Sequence, residues 1–191
     1  YARPFGPTAW WKWNIMGDPH SGLYSSIALY NSAIRIGAYD STNSNLIQGM
    51  YGDRSGWEFQ TIDGTYDKGE YVSLKVDSTG RTHVSYYDAT HGDLIYADWG
   101  VHGNFWYTDT HDSNGDVGKY TSLALSSDNR VYISYFDESK KQLKLRYQLP
   151  PFGAWDTVVV DDGGILEDEV GWYTSIDLDG SDNPHISYYN I

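Results

Sequence analysis

The chain has 191 residues, enough for one sizeable core or a short array of repeats. It carries 13 basic against 26 acidic residues, a net charge of −13 that argues against nucleic acid, whose binders need a basic face, and against anionic membrane surfaces. There is no cysteine, so disulfides and thiolate metal sites are excluded, and no apolar run approaches the roughly 18 residues of a membrane span.

The opening segment YARPFGPTAW matches the later YQLPPFGAW from Tyr147 to Trp155, so the chain is expected to begin near the end of a third strand. A cluster of Trp10, Trp11 and Trp13 follows; on a strand, Trp11 faces away from Trp10 and is a candidate stacking platform, with packing inside a sheet core as its plainer role. GLYSSIAL from Gly22 predicts a first strand, RIGAYD from Arg35 a second, the stretch around Leu46 a third, and a fourth opens at Trp57. The order then repeats: GEYVSLKV from Gly69, HVSYYD from His83, a third strand near Leu94, a fourth at Phe105. It repeats again with GKYTSLAL from Gly118, YISYFD from Tyr132, Leu143 and Trp155, and ends with GWYTSIDL from Gly171 and HISYYN from His185.

The shared pattern is Gly-x-Tyr-x-Ser-aliphatic-x-aliphatic, at steps of 47, 49 and 53 residues from Gly22 to Gly69, Gly118 and Gly171. Repetition at such a period marks an array of identical supersecondary units. Each run alternates with period two: Val72, Leu74 and Val76 share one face, Tyr71, Ser73 and Lys75 the other. Turn residues such as Asp77-Ser-Thr-Gly80 separate the runs, nothing reads as a long amphipathic helix, and the class is all-β. Ser26, Ser73, Ser122 and Ser175 recur on first strands, and Gly37, Ser85, Ser134 and Ser187 on second strands; these small residues are read as structural, letting neighbouring sheets approach.

The segment SLKVDSTGRTHVSYYDATHGDLIYADW, from Ser73 to Trp99, resembles the SYYD-type tandem-repeat β-propeller proteins secreted by bacteria and archaea. The resemblance covers nearly the whole chain. It implies a propeller fold and an extracellular or cell-surface binding role, and it carries over no catalytic residue. The expected fold is therefore a single all-β domain over 1–191, a four-bladed β-propeller of four-stranded repeats of about 48 residues. Repeats lie near 22–63, 69–110 and 118–161, and a closing blade is shared between the termini, 171–191 completed by 1–15. At that junction the eight residues from Ser139 to Arg146 have no counterpart, which also fits a slice of a longer propeller or closure by a neighbouring molecule's strand.

Propeller connectivity gathers on one rim the loops before first strands and after second strands. That rim collects Asp67, Asp116 and Glu169, then Asp40, Asp88, Asp137 and Asn190, beside Tyr71, Tyr120 and Tyr173. Carboxylates with tyrosines suit the hydroxyls of a sugar; a calcium ion is the one cofactor considered, and otherwise none is expected. The competing reading has each aspartate capping its own turn. The six histidines show no helical metal-ligand pairing. The expected function is a non-enzymatic, lectin-like extracellular module that binds carbohydrate or a protein surface. The alternative is a structural subunit of a filament, sheath or surface layer, self-associating through the split blade. A glycoside hydrolase ranks third, because no pair of acids is singled out.

Overall fold

A computed structural model describes residues 2–5, 9–12, 21–52, 56–100, 105–150, 153–164 and 168–191. Within them, sixteen strands run in chain order and no α-helix intervenes. Strands β3 (Ser21–Tyr30), β4 (Ala33–Asp40), β5 (Asn45–Gly52) and β6 (Gly56–Asp63) form one antiparallel sheet in sequence order. Strands β7 (Lys68–Val76), β8 (Thr82–Asp88), β9 (Asp93–Trp99) and β10 (Trp106–Asp112) repeat it. So do β11 (Val117–Leu125), β12 (Val131–Asp137), β13 (Gln142–Leu149) and β14 (Ala154–Asp161). Two-stranded sheets stand at the chain's ends, β1 (Ala2–Phe5) with β2 (Ala9–Lys12), and β15 (Val170–Leu178) with β16 (Pro184–Asn190).

First strands stand side by side, β3 against β7, β7 against β11 and β11 against β15. The core lies between neighbouring sheets. Leu74, Val84, Tyr86 and Ile95 of the second sheet meet Leu46 and Ile62 of the first, and Leu123, Ile133 and Tyr135 of the third meet Leu94 and Tyr96 of the second. Full burial of one such leucine is worth about 2 kcal/mol. This sandwiching explains why every residue of β8 and β12 is buried, although HVSYYD and YISYFD carry polar groups on both faces. The small residues sit where sheets approach most closely. Thr121 donates to the Ser85 hydroxyl at 2.9 Å and Thr174 to that of Ser134 at 2.7 Å, while a Cβ on Gly37 would meet Val72 and Leu74 at 3.2 Å.

Among the described residues, the two ends of the array carry exposed strand faces. Ile27 is exposed on β3, whereas its repeat counterparts Leu74 and Leu123 are wholly buried beneath a preceding sheet. On β16, Tyr188 and Tyr189 are exposed, although Tyr86, Tyr87, Tyr135 and Phe136 at the same repeat positions are buried. No ladder among the described residues joins β16 to β1, so the two half-sheets that the sequence assigns to one blade remain separate sheets.

Candidate functional site

Each first strand begins with a local break from ideal pairing. In β7 the register against β8 shifts between Lys68 and Glu70 and again between Glu70 and Ser73; β3, β11 and β15 shift at the equivalent points. Two bulges so close together turn one side chain out of the sheet's alternation. The glycine of the Gly-x-Tyr pattern sits at φ +115° at Gly69 and +105° at Gly118, and a Cβ there would lie 2.9 Å and 2.7 Å from Leu46 and Leu94 of the preceding sheet. The tyrosine that follows is also left-handed, at φ 50°, 54°, 56° and 51° for Tyr24, Tyr71, Tyr120 and Tyr173. A bulky residue in that region costs about 1–3 kcal/mol, and such strain concentrates at functional sites.

The strain brings the four phenol rings into one row. Successive centroids are 4.6 Å apart from Tyr24 to Tyr71, 4.6 Å from Tyr71 to Tyr120 and 4.5 Å from Tyr120 to Tyr173, at tilts of 51° to 57°. The rings line a shallow concavity of about 290 Å³, with Ser25, Val72, Thr121 and Thr174 beneath them. The terminal rings are the most open, Tyr173 at 66% exposure and Tyr24 at 41%. Burial, then the neighbouring Tyr120 and Tyr24, pushes the Tyr71 phenol far above its ordinary range; burial and Tyr173 raise Tyr120 likewise. Tyr71 and Tyr120 therefore stay neutral and keep their O–H donors at any physiological pH. Trp172 stacks behind it, 5.3 Å from Tyr120 and 5.2 Å from Phe136, and its buried indole N–H has no partner among the described residues.

The acids of the predicted rim do not line this concavity and are largely engaged by the fold. Asp67 accepts the Tyr39 hydroxyl of the preceding sheet, and Asp116 accepts the Tyr87 hydroxyl at 2.7 Å together with the Lys119 ammonium at 2.8 Å. Glu169 faces Phe136 in the repeat, which has no hydroxyl to give, and pairs instead with Lys141 at 3.2 Å. Asp88 and Asp137 cap the turns after β8 and β12: Asp88 accepts from the Thr90 and His91 amides, and Asp137 from the Lys140 amide. Asp40 does the same for Thr42. Asn190 reaches Asp168 at 3.4 Å. Trp11 lies on β2, and its side chain lies outside the described residues, as does all of Trp13.

Tyr71, Tyr120 and Tyr173 thus come together, while most of the predicted acids are tied up in the fold. Tyr24 completes the row, and the same Gly-x-Tyr signature marks it in GLYSSIAL. Glu70 is a further neighbour that the pattern hides, because Leu23, Lys119 and Trp172 replace it in the other repeats. Burial and the adjacent Asp67 charge hold its carboxyl above the usual range.

No protein-family model matches the chain, and no curated protein matches its sequence. Its fold, however, is shared with solved β-propeller lectins and glycosidases. The AofleA protein from Arthrobotrys oligospora superposes with a TM-score of 0.57 at 11% identity, over 87% of this chain and 50% of that one. The Aleuria aurantia lectin, an N224Q mutant bound to α-methyl-L-fucoside, gives 0.57 at 14% identity, over 86% and 52%. The intramolecular trans-sialidase of Ruminococcus gnavus gives 0.55 at 11% identity, over 82% and 36%. The chain spans about half the length of the two lectin-fold proteins and about a third of the trans-sialidase. At these identities the likeness establishes the fold, an all-β array of propeller-like sheets.

Proposed function

We propose that the chain is a non-enzymatic, lectin-like module that recognises a carbohydrate outside the cell, with the tyrosine row as its binding surface. The observation that carries this reading is the uniform spacing of four strained phenols along one open concavity. Tilted aromatic faces stack on the C–H face of a sugar ring, while their hydroxyls donate to and accept from its hydroxyls. The lectin folds among the structural neighbours, one of them holding a fucoside, support the ligand class.

Hydrolysis fits the site less well. Glycosidic cleavage needs two carboxylates with free acid and base roles. Asp67 and Asp116 are held by tyrosines and Lys119, which leaves Glu70 as the acid beside Tyr71 without a hydrogen bond among the described residues. The half-sheets β1–β2 and β15–β16 are proposed as the two halves of a fourth blade, as the match between Tyr1–Trp10 and Tyr147–Trp155 implies. A glycan array probed with the 191-residue chain and with its Tyr71→Ala/Tyr120→Ala variant tests the site: binding by the first and not the second is expected, and equal binding overturns it.

A further inference from the structure

At the opposite end of β7 from Tyr71, a second cavity of about 460 Å³ opens between the second and third sheets. Its floor is a chain of buried polar groups. The His83 ring, 4% exposed, places Nε2 3.2 Å from Asp77 and Nδ1 2.6 Å from the Tyr96 hydroxyl. The Nε2–H tautomer donates to Asp77 and leaves Nδ1 as an acceptor for the Tyr96 hydroxyl, whose one proton is shared between His83 and Asp98. Asp98, also buried and hydrogen-bonded by Tyr96, lines the cavity, and Asp128, paired with Arg130, and Gln148 of the third sheet form the far wall.

Two donors in this cavity are uncommitted. The Arg81 guanidinium makes no hydrogen bond or ion pair among the described residues. Gln148 gives its carbonyl oxygen to the Val131 amide, at 3.0 Å, and keeps both amide protons. The repeat shows that packing does not demand this arrangement. Where the second sheet has His83, Tyr96 and Asp98, the first has Arg35, Gln48 and Met50, and the third has Tyr132, Leu145 and Tyr147. The third sheet fills the place with Tyr132 stacked on Tyr147, 6.0 Å apart. A buried histidine held by a carboxylate and a phenol is a more costly way to join two sheets than that ring pair.

From this we infer that the cavity between the second and third sheets is a second binding site, for a neutral sugar ring presenting two adjacent hydroxyls. Arg81 and Gln148 donate to the ligand's oxygens, and Asp98 accepts from its hydroxyls, in a space that holds a monosaccharide. Asp77, Asp98 and Asp128 line the cavity with Arg81, and Asp128 is already paired with Arg130 at 2.8 Å, so the acidic lining disfavours an anionic ligand. Because the site stands on residues separate from the tyrosine row, it survives if the row binds nothing. If both bind, each molecule carries sites at both ends of its sheets and cross-links a polyvalent glycan.

Residue-resolved NMR titration of the 191-residue chain tests this, with methyl β-D-galactoside and methyl α-L-fucoside as neutral probes and methyl β-D-glucuronide as the anionic contrast. Shifts at Arg81, His83, Tyr96, Asp98 and Gln148 are expected with at least one neutral probe, at a Kd on the order of 1 mM. They should persist when the row is broken by Tyr120→Ala, which separates this site from the first. Arg81→Gln and Asp98→Asn should each weaken the binding about tenfold; if Asp98→Asn fails to fold, Arg81→Gln carries the test. Shifts at Tyr71 and Tyr120 with none at these residues, or a tighter response to the glucuronide, would overturn the inference.

Discussion

The Ser73 hydroxyl accepts the Leu123 amide N–H across two sheets at 3.0 Å, from a position 50 residues further along the chain. Ser26 makes the same bond to Leu74 at 3.0 Å, and Ser122 to Ile176 at 3.2 Å. This is how one repeat grips the next: each first strand gives an amide sideways to the serine of the strand before it. Ser175, the fourth member, is exposed and stands on the open face of the last half-sheet.

The serines should therefore differ in energetic weight. Ser73→Ala leaves the amide of a wholly buried leucine without an acceptor, costing about 1–3 kcal/mol and lowering the melting temperature by roughly 2–4 °C per kcal/mol. Ser175→Ala should stay within about 0.5 kcal/mol. Thermal unfolding followed by circular dichroism compares them; equal effects would mean that the inter-sheet bond is not the source of the difference.

Lys144 is the most deeply placed lysine or arginine among the described residues, with its ammonium 2.6 Å from Asp112 and 3.2 Å from Asp137, all three nearly buried. Tyr135 also donates to Asp112, at 2.7 Å. Lys144→Met fits the space and strands two carboxylates in the interior, which should cost about 3–5 kcal/mol. In the second sheet Lys68 bridges Asp63 and Asp88 more loosely, at 3.1 Å and 3.7 Å and nearer to solvent, so Lys68→Met should cost less. Urea midpoints rank the pair, and the reverse order would contradict this account of burial.

Acid should destabilise the protein well before its carboxylates titrate. Burial, reinforced by the Arg146 charge, lowers the His111 imidazole from 6.5 to about 3, and burial lowers His83 despite Asp77 beside it. Both rings fold neutral, so their contribution is complete above about pH 6.5 and is lost as the pH falls toward the folded value. Asp63, Asp77 and Asp112 are held below the ordinary 3.8 despite burial, by hydrogen bonds from Thr65, Thr79 and Lys144 among others, and add a further loss below about pH 4. Melting temperature should fall steadily from about pH 7 downward, and His111→Phe, which keeps a ring against Trp155, should flatten the upper part of that fall. An unchanged slope in the variant would remove His111 from the explanation.

Much of this organisation is readable before any coordinates. Gly-x-Tyr-x-Ser at Gly22, Gly69, Gly118 and Gly171 marks the four first strands, and Leu46, Leu94 and Leu143 fall on β5, β9 and β13 as their spacing requires. Period-two alternation and turn residues act locally, so a sequence carries them. The fates of Asp67 and Asp116 do not follow from local pattern. Their partners, Tyr39 and Tyr87, lie 28 and 29 residues away on another sheet, and only the stacking of sheets brings them together. The same holds for His83 and His185, which share a repeat position: one is buried under the third sheet, and the other is exposed at the open end. The left-handed tyrosines were visible as a motif, yet their convergence into a row depends on two bulges per strand, which alternation alone does not encode.

The most direct test of the carbohydrate reading is the affinity of the chain and of its Tyr120→Ala variant for a glycan identified on an array, measured by titration calorimetry. Tyr120 lies between Tyr71 and Tyr173, so its loss divides the row while leaving the inter-sheet bonds of Ser73 and Ser122 in place. The account predicts measurable binding by the parent chain and at least about a tenfold loss in the variant, with its melting temperature little changed. Equal affinity in the two proteins, or no glycan bound by the parent, would contradict it.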